Sequence, residues 1–207
     1  MTAPATTRDV DTALGPARVT VDEPGGPPVG TLLLGHGAGG GIEAPDLVTT
    51  TTAAVALGWR VLRVEQPWRV AGKRVAVAPP RLDEGWRAVH AACADLLAGP
   101  VVFGGRSAGA RVACRTAGEL GADGVLCLAF PLHPPGKPEK SRVAELTGVV
   151  VPTLVVQGAT DAFGGPAEVT GALAGHPAQV VAVRGDHAMK PDQPAIAAAV
   201  TTWLRTL

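Results

Sequence analysis

The stretch "PVVFGGRSAGAR", residues 100–111, decides how the rest of the chain is interpreted. A short apolar run leads into Gly105-Arg106-Ser107-Ala108-Gly109, which is a G-x-S-x-G pattern, and a helical segment follows. A serine between small residues on a sharp strand-to-helix turn is raised above a sheet, where the helix dipole favours developing negative charge. The pattern therefore predicts that Ser107 is a nucleophile. The structural alternative is a glycine-rich turn whose serine caps the helix.

Apolar runs of strand length alternate with helical segments on both sides of this turn. The sequence predicts strands at residues 17–23, 30–36, 59–66, 100–105, 124–130, 152–158 and 178–185. It predicts helices at residues 45–57, 82–98, 107–120, 166–174 and 194–207, with Asp83 and Glu84 in the first turn of the second helix. This order predicts one α/β domain over residues 1–207, with a mostly parallel sheet between two helical layers. In such sheets, chemistry gathers at the carboxyl ends of the strands.

A serine hydroxyl becomes a nucleophile when a base accepts its proton and a carboxylate orients the base. Asp161 follows the strand at residues 152–158, and His187 follows the strand at residues 178–185. With Ser107 first, the chain order is Ser, Asp, His, as expected for a nucleophile on such a turn. We therefore predict a catalytic triad of Ser107, Asp161 and His187. Glu65, after an earlier strand, is the alternative acid, whereas Asp186 adjoins His187 too closely to orient its ring.

The segment "TLLLGHGAGGG", residues 31–41, is a second glycine-rich loop after an apolar strand. Its glycines at positions 35, 37 and 40 match the G-x-G-x-x-G pattern of dinucleotide-binding loops. That interpretation needs Glu65 as the acid that binds a ribose. It leaves Ser107, Asp161 and His187 without a role, so we predict no nucleotide and no other cofactor.

Acyl transfer gives the same loop a different role, because it needs backbone N–H groups directed at the oxyanion of the tetrahedral intermediate. One donor is expected from the residue after the nucleophile, Ala108. The second is expected from this loop, where glycines let the backbone approach a substrate closely. We predict Ala38 as the second donor, with Gly37 or Gly39 as alternatives.

The composition narrows the function further. The 207 residues are 46% apolar and balance 18 Lys and Arg against 18 Asp and Glu, so nothing indicates binding to nucleic acid or an anionic membrane. The N-terminus lacks the apolar core of a signal peptide, and a cytoplasmic location is expected. Cys93, Cys114 and Cys127 lie in apolar segments without metal-ligand spacing, so we expect reduced, buried thiols and no metal. The chain contains no tyrosine, which excludes mechanisms with a tyrosine acid.

With these residues in place, the sequence resembles the small α/β-hydrolases that include testis-expressed protein 30, and more distantly the dienelactone hydrolases. The resemblance rests on "LLLGHGAGG", "EQPWRVAGKR", "GGRSAGAR", "AFPLHPPGKPEKSR", "QGATDAFG" and "GDHAMK", between residues 32 and 190. It implies an α/β-hydrolase fold with Ser107 as nucleophile, His187 as base and Asp161 as acid. It implies no particular substrate. Some relatives are subunits of larger assemblies, so a protein partner is a further expectation.

These observations predict a serine hydrolase that cleaves a small-molecule acyl ester or related bond through an acyl-enzyme. The alternative is a non-catalytic binding or scaffold module that keeps the fold. Between Phe130 and Pro152 the chain has room for a loop and a short helix only, so no separate cap domain is expected.

The loops at this edge of the sheet also carry basic residues, which predict a cationic site mouth and anionic substrates. Candidate substrate-binding residues are His36, Arg69, Arg106 and His133, with Lys73, Arg74 and Lys137 near them in the sequence. The alternative is that these side chains are solvated, and that Arg106 turns away to pair with a carboxylate.

Overall fold

A computed structural model describes residues 4–207 as an eight-stranded sheet with helices on both faces. The strands are β1 (Thr6–Val10), β2 (Ala17–Asp22), β3 (Gly30–Gly35), β4 (Trp59–Glu65), β5 (Val101–Arg106), β6 (Gly124–Leu128), β7 (Thr153–Gly158) and β8 (Gln179–Val183). Their order across the sheet is β1-β2-β4-β3-β5-β6-β7-β8. β1 and β2 pair antiparallel, as do β2 and β4, and all other pairs are parallel. The expected mostly parallel sheet is confirmed.

The part of the chain that the structure describes contains seven α-helices. They are α1 (Pro45–Ala56), α2 (Pro67–Val70), α3 (Pro79–Ala92), α4 (Ala108–Leu120), α5 (Val143–Thr147), α6 (Pro166–Ala172) and α7 (Gln193–Leu204). The helix expected at residues 82–98 instead begins at Pro79, because proline is tolerated in a first turn whose N–H groups have no helical partner. Asp83 is therefore not in the first turn, and its carboxylate forms an ion pair with Arg115 of α4 at 2.6 Å.

The sheet separates two apolar cores. On one face, side chains of α3, α4, α5 and α6 pack against the sheet around Trp86 and Phe103. On the other face, α1 and α7 cover Leu32, Leu126 and Leu154. The cysteines are buried free thiols, as expected. Across residues 4–207, no helix is long and apolar enough to cross a bilayer.

This arrangement brings the loops after β3, β5, β7 and β8 to one edge of the sheet, because parallel strands end at the same side. Between β6 and β7 the chain forms a loop with a short 3-10 turn, Pro138–Lys140, and then α5. The described residues contain no separate cap domain, so the edge is covered only by loops and short helices.

Candidate active site

Ser107 stands on the strained turn between β5 and α4. Its backbone angles, φ 53° and ψ −108°, are unfavourable for a residue with a side chain. A Cβ at Gly105 would lie 2.6 Å from the Gly35 carbonyl oxygen, and a Cβ at Gly109 would lie 2.3 Å from the same atom. Both flanking glycines are therefore required, because β3 approaches the turn too closely for any side chain.

The three residues of the expected triad meet above this edge. His187 Nε2 lies 2.9 Å from Ser107 Oγ, and His187 Nδ1 lies 2.8 Å from Asp161 Oδ2. The Asp161 side chain is fully buried, and its Oδ1 accepts a hydrogen bond from the Phe163 N–H at 2.8 Å. Glu65 ends β4, which four strands separate from β8, so it is remote from the imidazole. The geometry favours the imidazole tautomer that donates from Nδ1 and accepts the serine proton at Nε2.

Two further residues, neither of them predicted from the sequence, contact the triad. Gln157, buried at the end of β7, has its Nε2 2.9 Å from Asp161 Oδ2, 3.1 Å from the Phe130 carbonyl and 2.8 Å from the Gly164 carbonyl. The Phe163 ring packs on the His187 ring with centroids 4.3 Å apart. A polar residue within the apolar run "PTLVVQG" was the only sequence signal for Gln157.

The glycine-rich loop after β3 lies against the serine turn. A Cβ at Gly37 would be 3.5 Å from the Ser107 Cβ, and the Gly40 N–H donates back to the Gly37 carbonyl at 3.5 Å. Ala38, within this turn, is exposed, whereas Ala108 begins α4, where backbone N–H groups lack helical acceptors. The predicted oxyanion donors therefore belong to two segments that meet at the serine.

Comparison with known proteins agrees with this architecture. A family model described as "Alpha/beta hydrolase domain" matches residues 28–202. The chain belongs to the alpha/beta hydrolase family. An alpha-beta serine hydrolase homologue from Coxiella burnetii is 19% identical, with 98% of this chain and 97% of that chain covered at a TM-score of 0.80.

Two further solved structures share the fold. A serine hydrolase without lid from Xanthomonas campestris is 22% identical, with 99% and 95% of the two chains covered and a TM-score of 0.76. A dienelactone hydrolase from Anabaena variabilis is 17% identical, with 98% and 97% covered and a TM-score of 0.74. The α/β-hydrolase fold expected from the sequence is confirmed, while a closer relation to testis-expressed protein 30 stays a prediction.

Within this family fold, the side chain of Arg106 turns inward. Its Nε lies 2.9 Å from Asp46 Oδ2, and its Nη2 donates to the His187 carbonyl at 2.9 Å. Asp46 is fully buried in the first turn of α1. The contact is an ion pair without an aligned hydrogen bond at Oδ2. Burial raises the pKa of Asp46, and the Arg106 charge partly offsets this rise. Arg106 therefore turns away and pairs with a carboxylate inside the protein, which was the alternative to its binding a substrate.

His36 is 3% exposed, and both its ring nitrogens have partners in the protein. Nδ1 donates to the Gly37 carbonyl at 2.9 Å, and Nε2 accepts the Gln66 N–H at 3.2 Å. Burial lowers the pKa of His36, which keeps the ring neutral at pH 7. His36 thus joins the glycine-rich loop to the end of β4, and its contact with a substrate stays a prediction.

His133 is also occupied within the protein. Its Nδ1 lies 2.9 Å from the Pro134 carbonyl, and its Nε2 lies 2.6 Å from Glu168 Oε1 on α6. The hydrogen bond to the Pro134 carbonyl raises the pKa of His133, and Glu168 raises it further. This residue connects the loop after β6 to α6, and its contact with a substrate stays a prediction.

Within residues 4–207, the other four basic residues named above form no salt bridge. Arg69 is half-buried on α2, with a guanidinium nitrogen 3.6 Å from the position of a Cβ at Gly41. Lys73, Arg74 and Lys137 are exposed. Among these four residues, Arg69 lies against the glycine-rich loop. Its role in substrate binding stays a prediction.

Proposed function

We propose that the protein is a serine hydrolase that cleaves a carboxylic ester, or a related acyl bond, through an acyl-enzyme. The proposal rests on one observation, the continuous chain of contacts from Ser107 Oγ through His187 to Asp161 at 2.9 and 2.8 Å. Family membership and the serine hydrolases among the similar structures support it. We also propose that the protein is related to the small α/β-hydrolases that include testis-expressed protein 30.

The reaction follows from these positions. Ser107 Oγ attacks the acyl carbon while its proton passes to His187 Nε2, and the carboxylate of Asp161 stabilises the resulting imidazolium. The carbonyl oxygen becomes an oxyanion that the N–H groups of Ala108 and Ala38 stabilise. The bond to the leaving group breaks as His187 returns the proton, releasing an alcohol or thiol. Water, deprotonated by His187, then attacks the acyl-serine, which releases the carboxylic acid and restores the hydroxyl.

A fluorophosphonate probe tests whether the serine is activated, because such probes react with activated serine hydroxyls. The chain contains only two serines, and Ser141 is exposed, with its Oγ accepting the Val143 N–H at 3.2 Å. We expect labelling of the wild type and of Ser141→Ala, and none of Ser107→Ala. No labelling of a folded wild-type protein would favour the scaffold alternative.

Steady-state hydrolysis of an activated ester tests the roles of the other two residues. Ser107→Ala should abolish turnover, and His187→Ala should do nearly as much because the residues act as a unit. Asp161→Asn should lower kcat by about 10⁴-fold, since the imidazole loses its orienting charge. Glu65→Gln is the matched control and should keep the wild-type rate. The opposite result for the two carboxamide variants would assign the acid to Glu65.

A further inference from the structure

The imidazole of His36 makes two hydrogen bonds, and both are to backbone groups. A backbone N–H can only donate, and the Gln66 N–H lies 3.2 Å from Nε2, so Nε2 is the acceptor and the ring proton lies on Nδ1. Nδ1 therefore donates to the Gly37 carbonyl, 2.9 Å away. The ring also packs beside the Trp68 ring, with centroids 5.5 Å apart. The fold thus fixes both the tautomer and the position of His36.

The Gly37 carbonyl belongs to the same peptide unit as the Ala38 N–H, which is a predicted oxyanion donor. Residues 4–207 contain no cis peptide bond, so this carbonyl and this N–H point in opposite directions. The Gly40 N–H also donates to the Gly37 carbonyl, at 3.5 Å, and closes a turn over residues 37–40. Both contacts hold the carbonyl on one side of the peptide plane. The Ala38 N–H faces the other side and has no hydrogen-bond acceptor within residues 4–207.

This peptide unit lies beside the nucleophile in a loop that has little packing of its own. A Cβ at Gly37 would be 3.5 Å from the Ser107 Cβ, whereas a Cβ at Gly39 or Gly40 would have nothing within 4 Å. Glycines also allow a wider range of backbone angles than other residues do. The direction of the Ala38 N–H therefore depends on the hydrogen bonds that hold the Gly37 carbonyl.

The other partner of the imidazole, Gln66, is itself held firmly against α3. Gln66 is buried, and its Nε2 donates to the Leu82 carbonyl at 3.1 Å. A Cβ at Gly85 of α3 would lie 2.6 Å from Gln66 Oε1, so the side-chain amide packs directly on the helix backbone. Gln66 therefore gives the imidazole a fixed point of attachment, and a chain of hydrogen bonds runs from α3 to the peptide beside Ser107.

Resting on the proposed function, we propose that His36 is a positioning residue that directs the Ala38 N–H at the oxyanion. The role requires no contact between the imidazole and the substrate. An N–H stabilises the oxyanion only when it is aimed at it, and the loss of one such donor lowers kcat by about 10²- to 10³-fold. Because the charge on this oxygen develops in the transition state, the effect falls on kcat rather than on KM.

Two amide variants separate the two hydrogen bonds of the ring. In His36→Asn the side-chain nitrogen can take the place of Nδ1 and donate to the Gly37 carbonyl. In His36→Gln the side-chain oxygen can take the place of Nε2 and accept the Gln66 N–H. With para-nitrophenyl acetate, we expect His36→Gln to lose at least about 10-fold more kcat than His36→Asn, with little change of KM in either. Equal losses of kcat, or a greater loss in His36→Asn, would overturn the proposal.

Removing the donor itself tests whether His36 acts through it. Ala38 is the second residue of the turn over residues 37–40, a position that favours proline, and proline has no N–H. Ala38→Pro should lower kcat by about 10²-fold or more. Adding His36→Gln to this variant should lower kcat no further, because no N–H is left to direct. Losses that multiply in the double variant would show that His36 acts elsewhere and would refute the assignment.

His176 is the matched control, because its ring also joins a backbone carbonyl to a backbone N–H. Its Nε2 lies 3.0 Å from the Val149 carbonyl, and its Nδ1 accepts the Ala178 N–H at 3.2 Å. His176→Gln should keep the wild-type kcat, and a loss equal to that of His36→Gln would count against a specific role for His36. If the fluorophosphonate probe fails to label Ser107 and no ester is hydrolysed, the proposed function fails as well. Labelling and turnover with equal losses in the two His36 variants overturn the positioning role alone.

Discussion

Replacing Arg106 by methionine removes the cation that pairs with the buried carboxylate of Asp46, close to His187. Methionine is similarly long and flexible but carries no charge. The variant leaves Asp46, which is fully buried, without its partner 2.9 Å away. It also removes the hydrogen bond that the guanidinium donates to the His187 carbonyl. The substitution therefore affects both folding stability and the position of the base.

The cost follows from the burial of this pair. Removing one member of a buried ion pair destabilises a protein by about 3–5 kcal/mol, since the other charge remains desolvated. Asp46 avoids part of this cost by taking up a proton, because burial already raises its pKa above that in the unfolded chain. When folding raises the pKa of a carboxyl group, the free energy of unfolding decreases as pH rises from the unfolded-state pKa to the folded-state pKa. The decrease is up to about 1.4 kcal/mol per pH unit. The stability that Arg106→Met loses relative to the wild type should therefore be larger at pH 7 than at pH 5.

Urea denaturation at both pH values measures these differences in the free energy of unfolding. The proteins compared are the wild type, Arg106→Met, Asp46→Asn and the double variant. The double variant should recover to within about 1 kcal/mol of the wild type, because no uncompensated charge remains. Its ester hydrolysis should stay below that of the wild type, since the His187 carbonyl still lacks its donor. If Arg106→Met lost less than about 1 kcal/mol at pH 7, or the double variant were no more stable than the single one, this account of the pair would be wrong.

Three further outcomes are expected. Gln157→Leu should lower kcat for ester hydrolysis by about 10- to 100-fold with little change in KM, because a hydrogen bond to a charged group is worth about 1.5–3 kcal/mol; a wild-type rate would contradict this. Glu168→Gln should lower the melting temperature of the protein most at pH 5 and least at pH 9. The raised pKa of His133 contributes stability that is present below its unfolded pKa and is lost as pH rises through its folded pKa, and the substitution would remove part of this contribution. A difference independent of pH would refute that linkage. Gly109→Ala should abolish probe labelling, because the new Cβ would meet the β3 backbone at 2.3 Å, whereas Gly118→Ala on the same helix has nothing within 4 Å and should label normally.

The sequence allowed the triad to be predicted because each member lies within four residues of the end of a strand. Apolar runs locate such strands, and the parallel order brings their carboxyl ends together, so Ser107, Asp161 and His187 converge without any knowledge of side-chain contacts. The strand β1, "TTRDV", was missed for the complementary reason. It is a short polar edge strand in which only Val10 is buried, so no alternating pattern marks it.

The directions of long polar side chains could not be predicted in the same way. Arg106 precedes the nucleophile in the sequence, yet its orientation depends on Asp46, sixty residues earlier and on another helix. His133 likewise depends on Glu168 of α6. Such partners are separated widely along the chain and leave no periodic signal. A count of basic residues on loops therefore does not show which of them are paired within the protein.

The base of the proposed triad depends on the outermost strand of the sheet. β8 pairs only with β7, and four of its five residues are half-buried or exposed, whereas β5 is enclosed by strands on both sides. Edge elements open locally at a lower free energy than the whole domain unfolds. Fraying of β8 would withdraw His187 while the serine turn stays folded. Heating should therefore inactivate the protein before its helices melt, and amide hydrogens of residues 179–183 should exchange faster than those of residues 101–106.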